Sequence, residues 1–332
     1  MKKRRLGNTE LQMTEISFGG ADIGNLYRAM TNNAVQQTLD SVWNSDIRYF
    51  DTAPQYGHGL SEHRLGHNLQ EHSREQFIIS TKVGKLLIPT REKFTLDEQW
   101  FIDPLPNKIH SCYSYDSIKR SVEDSLHRLG MNYIDIVHIH DLDRIVLGND
   151  FPQYFKQAMK LGYRALAELK AQGVIKAISM GVKEWQVCAE ALKHGHFDCF
   201  MLQNNYTLLD QDALDFLDEC QRKNISVLLA GPFSSGILVE GAVKGARYNH
   251  VEADQMIMQR VEKLADICKQ FNVAMPAAAL HFPLRHAAIA SVVIGMRTVE
   301  QVKQNIAWYQ TEIPEVFWQA LKEQGLLPEN TP

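Results

Sequence analysis

The sequence predicts an α/β fold, a (β/α)8 barrel of the TIM type, and three observations carry that expectation. Short runs rich in Ile, Val and Phe alternate with longer helical patterns along nearly all of the 332 residues. Most of the short runs are continuously apolar, as strands buried on both faces are. Eight of each can be counted, the number that closes a barrel. A doubly wound open sheet is the alternative arrangement of the same units. No Pro/Gly/Ser-rich linker divides the chain, so residues 1–332 read as one domain.

The elements follow in order. RRLGNTELQ sets a Gly-Asn turn between two short segments, an N-terminal hairpin placed to plug the bottom of the barrel. Strands are predicted at 15–19, 47–52, 77–83, 133–140, 175–181, 199–204, 225–230 and 290–294. Helices are predicted near 33–44, 60–70, 115–129, 153–172, 184–194, 210–222, 254–270 and 298–309, with a C-terminal helix at 313–324. Three connections are long: 84–114, 141–152 and 231–253. All follow strands and so belong on the C-terminal face, where barrels carry function. The stretch 85–114 mixes aromatics, prolines and charges and reads as a substrate lid.

A net charge of −4 and the absence of a long basic run argue against nucleic acid or an anionic membrane as partner. Hydrophobic content of 45% and charged content of 22% are ordinary for a water-soluble protein. The basic MKKRRLGNTELQ is not followed by an apolar segment, so no signal peptide is expected, and no long apolar run predicts a membrane span. Five scattered cysteines without a CxxC pair suit a reducing, cytoplasmic setting. A homo-oligomer is left open.

Four polar residues stand at the ends of successive strands. Asp51 ends the second, Lys82 the third and His140 the fourth, and Tyr56 lies in the loop that opens after Asp51. A tyrosine hydroxyl titrates near about 10 when unperturbed. A neighbouring ammonium favours the phenolate, so Lys82 is expected to lower the Tyr56 pKa while Asp51 holds Lys82 charged. His140 is placed to hydrogen-bond a substrate oxygen. The set suits a tyrosine general acid or base. A buried Lys–Asp pair is also a common structural device. A rival reading uses His138-x-His140, two imidazoles on one strand face, as metal ligands; no catalytic metal is expected, because no further ligand cluster ends the later strands. Neither GxGxxG after the first strand nor GxxxxGK[ST] occurs, so any nucleotide is held by other means.

FDTAPQYG, STKVG, YIDIVHIHD and VVIGMRTVEQVKQNI, in that order, resemble the aldo-keto reductase superfamily over essentially the whole chain. The resemblance implies an extended nicotinamide dinucleotide bound without a Rossmann fold, and a catalytic tetrad of Asp51, Tyr56, Lys82 and His140. It places Gln203 at the nicotinamide amide. Lys183 and Glu184 stand where the family often has a Ser-Asn pair, and Gly231 where many members stack a tyrosine; Phe233 lies nearby. Gly295, Met296, Arg297, Thr298, Gln301 and Asn305 match the adenosine and phosphate segment. Gly295 and Gln301 occupy positions where NADP-selective members carry Lys and Arg, so NAD is favoured, with NADP open through Arg297.

The 85–114 insertion, VHIHDLD and GPFSSGIL resemble the branch holding D-threo-aldose 1-dehydrogenase, L-fucose dehydrogenase and pyridoxal 4-dehydrogenase. That implies a small-molecule substrate, a sugar or aldehyde, whose cyclic hemiacetal is oxidised to a lactone. Trp100, Phe101 and Tyr113 are the expected pocket walls. A general aldehyde or ketone reductase is the alternative enzyme, and a non-catalytic nucleotide-binding subunit the alternative from another class.

Overall fold

The computed structural model describes residues 1–97 and 100–332. Eight parallel strands close into a barrel: β1 (Ile16–Gly19), β2 (Tyr49–Asp51), β3 (Ile78–Val83), β4 (Ile134–His140), β5 (Ile175–Val182), β6 (Cys199–Gln203), β7 (Ser226–Ala230) and β8 (Ile289–Gly295). Every strand pairs with its sequence neighbours, and β8 pairs with β1. Each sequence-predicted strand is present within a few residues.

The barrel interior is a core of its own. Tyr49, Ile136, Ala177, Met201, Leu228 and Val293 pack there with Leu6, Leu11 and Met13. The last three belong to the N-terminal hairpin Lys3–Arg5 with Gln12–Thr14. Arg4 donates to the backbone carbonyl of Ile289, at the start of β8. The hairpin therefore closes the bottom as expected, and the polar residues are left for the upper rim. A larger apolar layer lies between strands and helices.

The ring helices are α1 (Asn32–Asn44), α2 (Leu60–Leu69), α3 (Tyr115–Leu129), α4, α5 (Trp185–Ala191), α6 (Leu214–Arg222), α7 (Met275–Leu284) and α8 (Val299–Gln310). α4 runs through Phe151–Gln157, a π turn Ala158–Gly162 and Tyr163–Ala171. Side chains cap several starts: Thr31 accepts from the Ala34 amide and Ser114 from that of Ser117. Such a cap is worth about 1 kcal/mol.

The helix Gln255–Gln270 was expected in the ring between β7 and β8. The ring position belongs instead to α7, which packs on β8 and α8. MPAAALHFPL is apolar on every side and has no stripe of period 3.6 to reveal it, because α7 is covered all round. Gln255–Gln270 lies outside it, against the C-terminal helix Glu315–Glu323.

The long connections carry structure of their own. Residues 84–114 hold an antiparallel hairpin, Lys85–Pro89 with Asn107–Ser111. Residues 231–253 hold a second, Arg247–Tyr248 with Val251–Glu252. Among the described residues no helix is long and apolar enough to cross a membrane.

Behind the rim, Glu62 of α2 is fully buried; Arg128 donates to it at 2.6 Å and Thr81 at 2.7 Å. Removing one partner of a buried ion pair costs about 3–5 kcal/mol. Arg128→Ala should lower the unfolding free energy by that amount, read as a lower urea midpoint with an unchanged slope. A loss below about 1 kcal/mol would class the pair with surface bridges.

Candidate active site

β2 ends in YFD, and the loop TAPQYG returns over the rim. Gly57 makes that return possible: its φ is +63°, and a Cβ there would lie 2.4 Å from the carbonyl oxygen of Gly24. Tyr56 is thereby held beside the ends of β3 and β4. In the sheet register Asp51 lies opposite Ser80, Lys82 opposite His138, and His138 opposite Ser179. All these side chains point inward by the alternation of a strand.

The four expected residues do meet. Lys82 Nζ donates to Asp51 Oδ2 at 2.6 Å and to the Thr52 carbonyl at 2.9 Å. It lies 4.6 Å from the centroid of the Tyr56 ring. His140 sits edge-on to that ring, centroids 6.1 Å apart. Asp51 also accepts from Ser80 Oγ at 2.7 Å, and Tyr49 lies 2.8 Å from the same hydroxyl, so the carboxylate is oriented from behind. His138 bonds Ser179 through Nδ1 at 2.7 Å, and its Nε2 lies 3.7 Å from Asp51 Oδ1.

The electrostatics depart from expectation at one point. Burial works against the Lys82 ammonium, but the Asp51 carboxylate and the Tyr56 phenol outweigh it, and Lys82 titrates above the ordinary lysine value. The Tyr56 phenol was expected below its usual value. Desolvation raises it instead, and the opposing pull of Lys82 is too small to reverse the direction. Burial also holds His140 and His138 well below the usual histidine range, so both imidazoles are neutral at neutral pH.

A cleft opens above these residues, lined by Asp51, Tyr56 and His140 on one side and by Gln203, Gly231 and Gly295 on the other. Trp100 and Phe101 line it too. Tyr113 does not, contrary to expectation. It is fully buried behind His140, donating its hydroxyl to the His140 carbonyl at 2.8 Å. Met296 is likewise buried in the core, so only its backbone can face a ligand. Thr298 caps α8, Gln301 accepts from the Arg297 amide at 2.7 Å, and Asn305 is buried on α8. Arg297 is not free: it pairs with Asp22 at 2.7 Å and donates to the carbonyls of Leu26 and Arg28. Phe233 packs edge-on against Trp308, 5.9 Å away.

Sequence reasoning missed part of the lining. Gln55 and Asp141 face the cleft, with Lys85 buried behind both and bonded to each. Their signal was adjacency: Gln55 precedes Tyr56, Asp141 follows His140, and Lys85 follows the STKVG strand end. Tyr27, Trp100 and His250 form a roof. His250 stacks on Trp100 with centroids 5.7 Å apart, and its ring nitrogens contact Tyr27 at 2.6 Å and Gln203 at 2.9 Å. Nothing in the sequence links these three distant loop positions.

Relatives give the family of this barrel and its rim. The aldo/keto reductase family model matches residues 15–325. The chain is 38% identical over 336 residues to the pyridoxal 4-dehydrogenase of Microbacterium luteolum, covering 98% of each. It is 33% identical over 330 residues to the D-threo-aldose 1-dehydrogenase of a Pseudomonas species, covering 96% of each. The holo structure of an aldo-keto reductase from Bacillus halodurans matches with a TM-score of 0.76 at 26% identity, covering 100% of this chain and 98% of that one. This chain belongs to the aldo/keto reductase family and is an NAD(P)-dependent oxidoreductase. Its branch is that of the aldose 1-dehydrogenases and pyridoxal 4-dehydrogenase.

Proposed function

We propose that this enzyme oxidises the C1 hydroxyl of an aldose in its cyclic hemiacetal form, an L-fucose-like sugar, to the lactone. The observation that carries the reading is Lys82, held by Asp51 at 2.6 Å and set 4.6 Å from the Tyr56 ring, with neutral His140 alongside. Tyr56 accepts the hydroxyl proton, Lys82 stabilises the phenolate, and His140 orients the substrate oxygen. In reduction Tyr56 donates the proton, the role its raised pKa suits.

The walls fit a nicotinamide dinucleotide. Gly19, Gly20, Gly231 and Gly295 let backbone line the groove, and a Cβ on Gly295 would lie 2.3 Å from Asp22 Oδ2. Buried Asn204 Oδ1 and Asn305 Oδ1 have no hydrogen-bond partner among the described residues. Gln203 and Gly231 would hold the nicotinamide end; Gly295, Thr298, Gln301, Asn305 and the Met296 backbone would hold the adenosine end. When bound, the oxidised dinucleotide supplies the hydride acceptor.

NAD is the favoured form. Arg297 is already neutralised by Asp22, and Gly295 and Gln301 add no cation. Gln301→Arg should raise kcat/KM with NADP relative to NAD by about tenfold, the value of one charge-assisted hydrogen bond to phosphate. An unchanged ratio would place the 2′-phosphate elsewhere.

The 38% identity to a pyridoxal 4-dehydrogenase supports a second substrate reading, since pyridoxal also forms a cyclic hemiacetal. The deciding assay follows formation of reduced nicotinamide with NAD and NADP against L-fucose, other aldoses and pyridoxal. Turnover of a sugar supports the first reading and turnover of pyridoxal alone the second. Silence with all, but consumption of NADPH by simple aldehydes, makes the enzyme a general reductase.

A further inference from the structure

Asp141 directly follows His140 and adopts φ +48°, a left-handed conformation that residues bearing a side chain rarely take. Its amide donates to the Gly181 carbonyl at 3.0 Å, fixing the turn at the top of β4. The side chain is thereby aimed along the rim rather than into solvent, and the residue is 8% exposed. Its two oxygens are used differently. Oδ2 takes the ammonium of Lys85, which also donates to Gln55 and is itself buried. Among the described residues Oδ1 makes no hydrogen bond; it lies 3.6 Å from His140 Nε2, too far for one, on the wall of the cleft.

The charge on this group is secure. Burial opposes ionisation, but the ammonium groups of Lys85 and Lys183 outweigh it and hold the Asp141 carboxyl well below the usual range. An ionised carboxylate is an acceptor only. The cleft therefore presents a fixed acceptor, unpaired among the described residues, beside the imidazole placed to meet the reacting oxygen. A substrate with hydrocarbon there would bury that acceptor unsatisfied, whereas a substrate hydroxyl would pair it.

We propose that Asp141 is a specificity-determining residue: Oδ1 accepts a hydrogen bond from a second hydroxyl flanking the reacting carbon, and Lys85 positions the carboxylate from behind. The identity of the substrate rests on the dehydrogenase reading; the demand for a flanking hydroxyl applies in either direction of reaction. The C2 hydroxyl of an aldose and the ring hydroxyl of pyridoxal present the same donor, and matched analogues separate them.

The test compares kcat/KM within pairs: L-fucose with 2-deoxy-L-fucose, pyridoxal with its 3-O-methyl ether, and glyceraldehyde with propanal in the reducing direction. Three proteins are used: wild type, Lys85→Met, and Asp141→Gly/Lys85→Met. Glycine accepts the left-handed backbone, and removing both charges leaves neither ion buried alone. Wild type should favour the hydroxylated member of a pair by at least about a hundredfold, Lys85→Met by a smaller margin because its carboxylate is no longer held, and the double variant by no more than about threefold. A double variant that keeps the ratio of the wild type overturns the proposal, because a merely structural ion pair would change both members alike. A wild type without preference in any pair, absence of turnover included, also overturns it. Should sugars and pyridoxal fail while the aldehyde pair shows the expected pattern, the hemiacetal reading falls and the role of Asp141 stands.

Discussion

Tyr56→Phe is expected to lower kcat for both oxidation and reduction by about 10²–10⁴, the usual worth of a positioned proton-transfer group. It should leave dinucleotide affinity, read by quenching of intrinsic fluorescence, unchanged. The ring stays where Lys82 and His140 meet it, 4.6 Å from Nζ and 6.1 Å between centroids, so the variant removes a proton donor and no packing. A companion pH profile fixes the role. Because desolvation places the Tyr56 pKa above its ordinary value, the phenol is protonated throughout the neutral range. Oxidation needs the deprotonated form and should climb from about pH 6 to about pH 9; reduction needs the protonated form and should stay level there. Near-normal turnover by Tyr56→Phe, or an oxidation rate independent of pH, would remove Tyr56 from the chemistry.

Lys82→Met carries the second large effect, and it acts on activity and stability together. Asp51 would be left buried with Ser80 as its remaining hydrogen-bond donor, an uncompensated charge costing about 3–5 kcal/mol. The phenolate would lose its stabilising ammonium, so oxidation should fall at least about 10²-fold. Asp51→Asn/Lys82→Met separates the two losses. Removing both charges should return most of the urea midpoint, since a neutral pair of similar volume is tolerated where a lone ion is not. Activity should stay low. If the double variant recovered activity with stability, Lys82 would serve the fold and not the reaction.

Much of this site was legible because the barrel converts sequence order into spatial order. Asp51, Lys82 and His140 end consecutive strands, and consecutive strands pair. Strand alternation then sends all three side chains inward. The buried helix α7 escaped because an element covered on all sides loses the periodicity that marks a half-exposed one. The sequence suggests Tyr113 as a pocket wall because aromatics in a long loop serve either purpose, and only its hydrogen bond to the His140 carbonyl separates them. The direction of the Tyr56 pKa is hidden from the sequence for a related reason. A sequence shows that an ammonium is near, but not how much water the phenol has lost, and desolvation is the larger effect here.

By itself the sequence determined the barrel, its hairpin plug and the meeting of Asp51, Tyr56, Lys82 and His140, because hydrophobic period and strand order are local and countable. The tertiary structure alone decided the rest of the cleft. Lys85 behind Gln55 and Asp141, Arg297 tied to Asp22, and the roof of Tyr27, Trp100 and His250 join loops far apart in the chain. Loop conformation follows from what each loop packs against, so no periodicity in its own residues records the partner.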